Sequence, residues 1–485
     1  MCAPAFVSCS EKASDPEETT GGADSTTVND TPSAENAETE ADLTDEEARL
    51  AIADDLPDQK FDGAEFRILT QENKNFQFVS DELTGEATND AVYNRNMKIE
   101  ERFDAKITTT IVESPQTQIV TFVQSGDDAC EVVEHHQYVS YYPIQNGVYL
   151  NWNDIPHIDQ SKPWWNKLSN DGATINGKLF CIVGDLSITA LTYTFAEFFN
   201  MDLMNDFGYP SETLYNIVFE GGWTLDRFSE IVGNIYEDKN GDGQKNPGDR
   251  FGYGFWVYHG TDTWVDAIGE HLTSYDPATN TIEITLGTEK VYTALEKIIN
   301  LLVNTNGAYH FMSEEEGKAQ NTAGNVGIMQ LMFESAFNEL RDVEYSYGIL
   351  PYPKYDEAQE AYYTVSMDQF SVFGTPKTLQ PEKYDFTGIM MEVLNAESYK
   401  TVYPAYYDTA LKGKYSEDRQ TAEMVDLIMA GRQCEFAFQF GNYLNNLPYM
   451  FRNQIYNKDI NLASALQKNQ KGTTKKLEKM MEYFN

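Results

Sequence analysis

Asp238, Asn240, Asp242, Gln244, Asn246 and Asp249 stand at positions 1, 3, 5, 7, 9 and 12 of a twelve-residue stretch, with Gly243 at position 6. A loop of that spacing presents oxygen atoms to calcium, using the backbone carbonyl at position 7 and, directly or through water, the side chain at position 9. The glycine serves the sharp turn. An ordinary solvated Asn/Asp/Gly turn would have much the same composition, but it would not call for a carboxylate at position 12. Aspartate there instead of glutamate shortens the bidentate reach.

The flanking residues say how such a loop is held. Leu225, Phe228, Ile231, Val232 and Ile235 recur at three- and four-residue steps, which predicts a helix with one buried face, and Thr224 is its expected N-cap. After the loop, Arg250 to Trp256 alternates glycine with aromatics and reads as a strand. A paired EF-hand would continue into a second helix. The expectation is therefore a lone structural calcium loop that pins a helix-to-strand connection.

Flat aromatic faces and short polar side chains form the second set of candidates. Trp164 and Trp165 stand side by side in a loop, Trp256 and Trp264 fall close together near Asp262, and Tyr406 and Tyr407 precede Asp408. Glu72 and Asn73 follow the expected strand Glu65–Leu69, and Asp185 follows an expected strand over 179–183. In a parallel α/β sheet, loops at the carboxyl ends of strands face the ligand crevice. All nine residues are candidate ligand contacts.

The remaining chain supplies an α/β framework. Strands are expected at 106–112 and 131–135, with helices at 90–103 and 116–124 between them. Further on, helices are expected at 193–205, 291–303, 383–396, 424–430 and 462–484, and strand-like runs at 324–334, 347–353 and 362–373. Gly172 to Lys178 has a G-x-x-x-x-G-K frame but lacks the following Ser or Thr, and Asn176-Gly177 reads as a turn rather than a phosphate loop.

Composition removes several classes. With 35 basic and 77 acidic residues the net charge is −42, which repels phosphate backbones and argues against nucleic-acid binding. Five cysteines with no C-x-x-C spacing do not form a disulfide framework. No run of about eighteen apolar residues is present to span a bilayer. H-E-x-x-H, G-x-S-x-G and strand-to-helix G-x-G-x-x-G motifs are all missing.

Residues 1–9 end in Phe6-Val-Ser-Cys9, similar to the lipobox of a truncated lipoprotein signal peptide, with Cys9 the lipidated residue. Residues 10–58 are rich in Glu, Asp, Thr, Ser and Ala and carry only Lys12 and Arg49 as bases, so they are expected to form a disordered acidic tether.

Taken in order, these segments resemble the extracellular solute-binding proteins of bacterial ABC importers, family 1, the carbohydrate-binding branch common in gut Firmicutes. The carriers are the lipobox and tether, Phe66-Arg-Ile-Leu69, Asn89 to Asn96, Pro163-Trp-Trp165 and Gly184-Asp-Leu-Ser187. They continue with Gly222 to Phe228 and its Asp/Asn loop, Tyr347 to Asp356, and Pro404 to Asp408. The resemblance covers about residues 60–470 and implies a periplasmic-binding-protein-like fold: two α/β lobes around a central cleft, crossover hinge segments, and a helical C-terminal part. The expected division is 59–180 with 320–370 for the first lobe, and 181–319 with 371–485 for the second. It also implies a non-enzymatic monomer, anchored by lipid alone on the outer face of the cytoplasmic membrane, that delivers a carbohydrate to permease subunits. A secreted, calcium-stabilised glycoside hydrolase is the alternative, and it requires two carboxylates about 5–9.5 Å apart across a cleft. A surface adhesin would share the tether but need no cleft.

Overall fold

The computed structural model describes residues 45–256, 259–407 and 419–485. Cys9 and residues 10–44 of the expected tether lie outside the described residues, as do Tyr258 and Asp408. The described residues fall into two units, 45–51 and 52–485. In the first, Asp45–Ala51 forms a helix. The second starts earlier than the sequence suggested. Ile52 and Leu56 pack on a hydrophobic core, and Asp54 holds Arg102, whose Nη2 donates to Asp54 Oδ1 at 3.0 Å. Apolar anchors at four-residue spacing and two ion pairs, Asp54 with Arg102 and Asp55 with Lys162, thus order residues 52–58, which composition alone assigned to the tether.

One sheet is built from the strands Ala64–Thr70, Ala105–Ile111, Val132–His136 and Ser371–Gly374. The first three run parallel, with Ala64 opposite Ala105 and Ile68 opposite Val132, and the last is antiparallel, with Ser371 opposite His136. The helix Ala87–Phe103 begins where the Glu86 side chain accepts hydrogen bonds from the amides of Thr88 and Asn89, and ends at Asp104, whose φ is 45°. Its Ile99 and Phe103 bury against Phe66 and Ile68 in a core completed by Tyr384–Glu397.

A second sheet carries Phe195–Asn200, Arg250–Phe255, Ala308–His310, Val326–Met332 and Tyr347–Leu350, with Tyr236–Glu237 at one edge. Phe195–Asn200 lies between Val326–Met332 and Tyr347–Leu350, antiparallel to both. The sequence predicted a helix over 193–205. All six strand residues are buried, so apolar residues lie on both faces and no period separates strand from helix; only Met201–Asp206 is helical. The expected strand at 179–183 is reduced to the bridge of Ile182 to Phe373.

Strand pairing also corrects the division between lobes. Val326–Met332 and Tyr347–Leu350 belong to the second sheet and Ser371–Gly374 to the first, the reverse of the expected assignment of 320–370 and 371 onward. Pairing between strands distant in sequence decides this, and no local pattern encodes it.

Three segments pass between the lobes side by side. Thr364–Val365 pairs in parallel with Arg432–Gln433, Thr194 bridges to Ser366, and Arg432 Nη1 donates to the Ala190 carbonyl at 2.7 Å, as Ser366 Oγ does at 2.8 Å. This is a two-lobed α/β architecture with a three-segment hinge, and the C-terminal residues add the helices Met450–Asn457 and Leu462–Met481.

Candidate ligand cleft

The carboxyl end of the strand Ala64–Thr70 runs into a 3-10 turn, Glu72–Gln77. Buried side chains hold this turn from behind. Arg95, 1 % exposed, donates to the carbonyls of Gln77 and Phe78, and Asn96 Nδ2 donates to Phe78 at 2.7 Å. Gln77 donates to Ser371 Oγ at 2.9 Å and accepts from the Thr189 amide at 3.1 Å, which ties the turn to the hinge. The motif Asn89 to Asn96 therefore acts as a support for the turn.

The turn aims Lys74 inward and leaves Glu72 and Asn73 exposed. Lys74 Nζ donates to Tyr193 Oη at 2.6 Å and lies 4.1 Å from the centre of that ring. Burial pulls its pKa down to about 8, against the opposing pull of Glu134 and of Glu334 at the end of Val326–Met332. Burial pushes Glu334 up to about 7, helped by Glu339 and opposed by Lys74 and Lys318. Beside them Gln71 Nε2 meets His136 Nε2 at 2.6 Å, and burial, then Lys74 and His135, hold His136 down to about 3.

Tyr138, whose ring centre lies 5.7 Å from that of His136, opens onto a cavity of about 330 Å³. Tyr138, Asp368 and Gln369 line it from the strand ends of the first sheet; Asn442, Asn446 and Tyr449 line it from the turns before the helix Met450–Asn457, and Arg452 and Asn453 from that helix. Tyr449 Oη donates to Asp368 Oδ2 at 2.6 Å, Arg452 Nη1 donates to Asp262 Oδ2 at 2.7 Å, and the guanidinium lies 4.5 Å from the Tyr449 ring centre. Burial raises Asp262 well above the carboxylate range, with Arg452 pulling down and Asp368 pushing up. Both rings and hydrogen-bonding groups are therefore available to a polar ligand at the strand ends, where α/β folds bind ligands. A larger cavity of about 570 Å³ is lined by Asn200, Arg250, Gly324 and Tyr345, at the opposite end of the second sheet. Its position on the far edge argues against it as the cleft.

The aromatic candidates divide. Trp164 and Trp165 are 0 % and 3 % exposed, and both indole N–H groups donate to the Glu392 carboxylate at 2.9 Å. They are core residues of the first lobe. Gly184 is their close neighbour: a Cβ there would stand 2.7 Å from the Trp164 carbonyl and 2.2 Å from Asn395 Oδ1. Trp264 is fully buried edge-on to Tyr352, with ring centres 5.2 Å apart. Trp256 is half-buried, and its carbonyl accepts from Gln330 at 3.0 Å. Tyr406 packs on Phe337 at 4.7 Å, its hydroxyl lacking a hydrogen-bond partner among the described residues and its electrostatic neighbours including Glu334 and Tyr193. Tyr407 donates to Asp426. Asp185 sits under the hinge, where burial pushes it up to about 8 against Arg432. The structure thus sets Glu72, Asn73 and Tyr406 by the seam and withdraws Trp164, Trp165 and Trp264 into cores. Lys74, Tyr193 and Glu334 were missed, as were the cavity residues Tyr138, Tyr449 and Arg452, because they come together only through the fold.

In the Asp/Asn loop, Asp238 accepts from the amides of Gly241 and Gly243 at 2.7 and 2.8 Å, and Asn240 and Asp242 each accept from the residue two further on. Gly243 has φ of 73°, the turn expected at position 6. Asp249 is fully buried and accepts from the amides of Lys239 and Asn246 and from Tyr236. These side chains close the loop on its own amides, and Asp249 is engaged by backbone donors and the Tyr236 hydroxyl.

No family model and no curated protein matches the chain. Solved structures do. An ABC substrate-binding protein from Listeria monocytogenes in complex with cycloalternan is similar at TM-score 0.53 and 15 % identity, over 86 % of this chain and 100 % of that one. A cyclic α-maltosyl-1,6-maltose binding protein from Arthrobacter globiformis is similar at TM-score 0.54 and 13 % identity, with the same coverage. The fold is periplasmic-binding-protein-like.

Proposed function

We propose that the chain is the extracytoplasmic substrate-binding protein of an ABC importer, that it captures an oligosaccharide in the interlobe cleft, and that it hands the sugar to a membrane permease without altering it. The observation that carries this reading is the cavity shared by Tyr138 and Asp368 on one side and Tyr449 and Arg452 on the other. Tyrosine rings can stack on a pyranose while Asp368, Gln369, Asn442 and Arg452 meet its hydroxyls. A ligand touching both sides stabilises the closed state, because only differential affinity shifts such an equilibrium. Both similar structures are sugar-binding proteins by name or by bound ligand, so cyclic α-glucans are the first ligands to try. Lipidation at Cys9 would place the protein on the outer face of the membrane. Calcium in the Asp238–Asp249 loop would cross-brace the connection from the helix Leu225–Gly233 to the strand Arg250–Phe255.

The test is a thermal-shift screen of the full chain against cyclic and linear α-glucans and monosaccharides, in calcium and in EDTA, with the sugar recovered and chromatographed. A ligand at 100 times its Kd is expected to add about 2.7 kcal/mol. A shift with the sugar recovered intact supports a binding protein. Sugar breakdown refutes it in favour of a hydrolase, and the absence of any shift refutes carbohydrate as ligand. A melting temperature equal in calcium and EDTA refutes the calcium loop.

A further inference from the structure

Away from the cleft and from the Asp/Asn loop, three metal-ligating side chains meet where the second lobe receives the third hinge segment. Asp266 lies in the short helix Thr263–Ala267, His271 follows it, and Glu435 comes two residues after the strand Arg432–Gln433. One ligand atom from each lies within 4.8 Å of the other two. His271 Nδ1 is 2.7 Å from Glu435 Oε1 and 3.9 Å from Asp266 Oδ1.

Asp266 is the informative member. It is 1 % exposed, and neither carboxylate oxygen has a hydrogen-bond partner among the described residues. A buried carboxylate is ordinarily satisfied by hydrogen-bond donors, and here the two metal-ligating side chains gathered with it are His271 and Glu435. Glu435 is 4 % exposed while His271 is half open to solvent, which leaves a route for an ion and room for a water ligand.

We propose that Asp266, His271 Nδ1 and Glu435 form a site for a divalent transition-metal ion of the zinc class. An imidazole nitrogen with two carboxylates suits zinc better than calcium, which takes six to eight oxygens. Ligands at about 2.0–2.1 Å from a tetrahedral zinc are about 3.3 Å apart. The observed 2.7 and 3.9 Å lie on either side of that value, and all three ligand atoms lie within 4.8 Å of one another, so closing the cluster around an ion needs side-chain rotation alone, with water as fourth ligand. The ion would replace the His271–Glu435 hydrogen bond and neutralise Asp266. It would also fasten the hinge strand Arg432–Gln433, which pairs with Thr364–Val365 and runs directly into Glu435, to Asp266 and His271 of the second lobe.

The experiment uses the full chain, stripped with chelator, desalted, and loaded separately with ZnCl₂, MnCl₂ and CaCl₂. Retained metal is read by mass spectrometry and stability by thermal shift. One zinc per chain and a raised melting temperature are expected. His271→Ala, at a half-exposed position, is expected to keep the far-UV spectrum and lose the zinc; Asp266→Asn is expected to weaken retention at least about tenfold. Asp238→Asn is expected to leave zinc retention unchanged, which separates this site from the Asp/Asn loop. Wild-type protein that retains no zinc above the buffer blank overturns the proposal. So does a folded His271→Ala variant that retains as much zinc as wild type.

Discussion

Glu392 offers a decisive perturbation, because one buried carboxylate accepts three N–H groups: the indoles of Trp164 and Trp165 at 2.9 Å each and the Asp159 amide at 3.1 Å. Glu392→Leu keeps the approximate size and removes every acceptor. A buried donor left without a partner costs about 1–3 kcal/mol, so the two indoles alone cost about 2–6 kcal/mol. Burial raises the Glu392 pKa from 4.5 to about 7. A group whose folded pKa is raised contributes stability below its unfolded pKa and loses it as pH climbs through the folded one. Wild type therefore gives up to about 3 kcal/mol of this term between pH 4.5 and 8, at 1.36 kcal/mol per unit, and the leucine variant does not. The expected deficit is the full 2–6 kcal/mol at pH 5 and clearly smaller at pH 8. Urea unfolding followed by circular dichroism at the two pH values measures it. A variant as stable as wild type at pH 5, or a deficit that grows toward pH 8, refutes the reasoning.

Two further outcomes are expected. The melting temperature should fall as pH rises from about 5 to 8 and fall again below about pH 5. Glu334 and Glu392 are pushed up to about 7, and Asp185 and Glu197 to about 8, so the folded chain holds protons there that the unfolded chain releases. Conversely His135 and His136, held down to about 4 and 3, favour unfolding once acid protonates the unfolded chain. A profile flat from pH 5 to 8 by differential scanning fluorimetry counts against it. At the cavity, Arg452→Ala removes the donor to the buried Asp262 Oδ2 and should cost about 1–3 kcal/mol. Asp262→Asn in the same chain should recover a good part of that loss, and purely additive single-variant losses in urea titrations would show that the 2.7 Å pair is not coupled.

Much of the framework was legible from periodicity. The helix at Leu225 with its Thr224 cap, the strands at Ala64 and Ala105 and the helices at Ala87 and Glu289 all form where the pattern predicts them, because each buries one face and so writes a 3.6- or two-residue period into the chain. The strand Phe195–Asn200 did not announce itself, since burial on both sides erases that period. The cleft was half legible. Sequence reasoning found the turn after the first strand, yet picked Glu72 and Asn73 rather than the neighbouring Lys74 that the turn directs inward.

Sequence by itself determined the alternating α/β elements, the strongly acidic net charge and the Asp/Asn loop with its glycine turn. Those follow from local periodicity, net charge and spacing within twelve residues. Only the tertiary structure decided which strands share a sheet, that Trp164 and Trp165 point at Glu392, that Tyr138 faces Arg452 across a cavity, and that Asp266, His271 and Glu435 meet. Each of these joins residues tens to hundreds of positions apart. Their proximity is set by core packing and strand pairing summed over the whole chain, and no short window of sequence contains that sum.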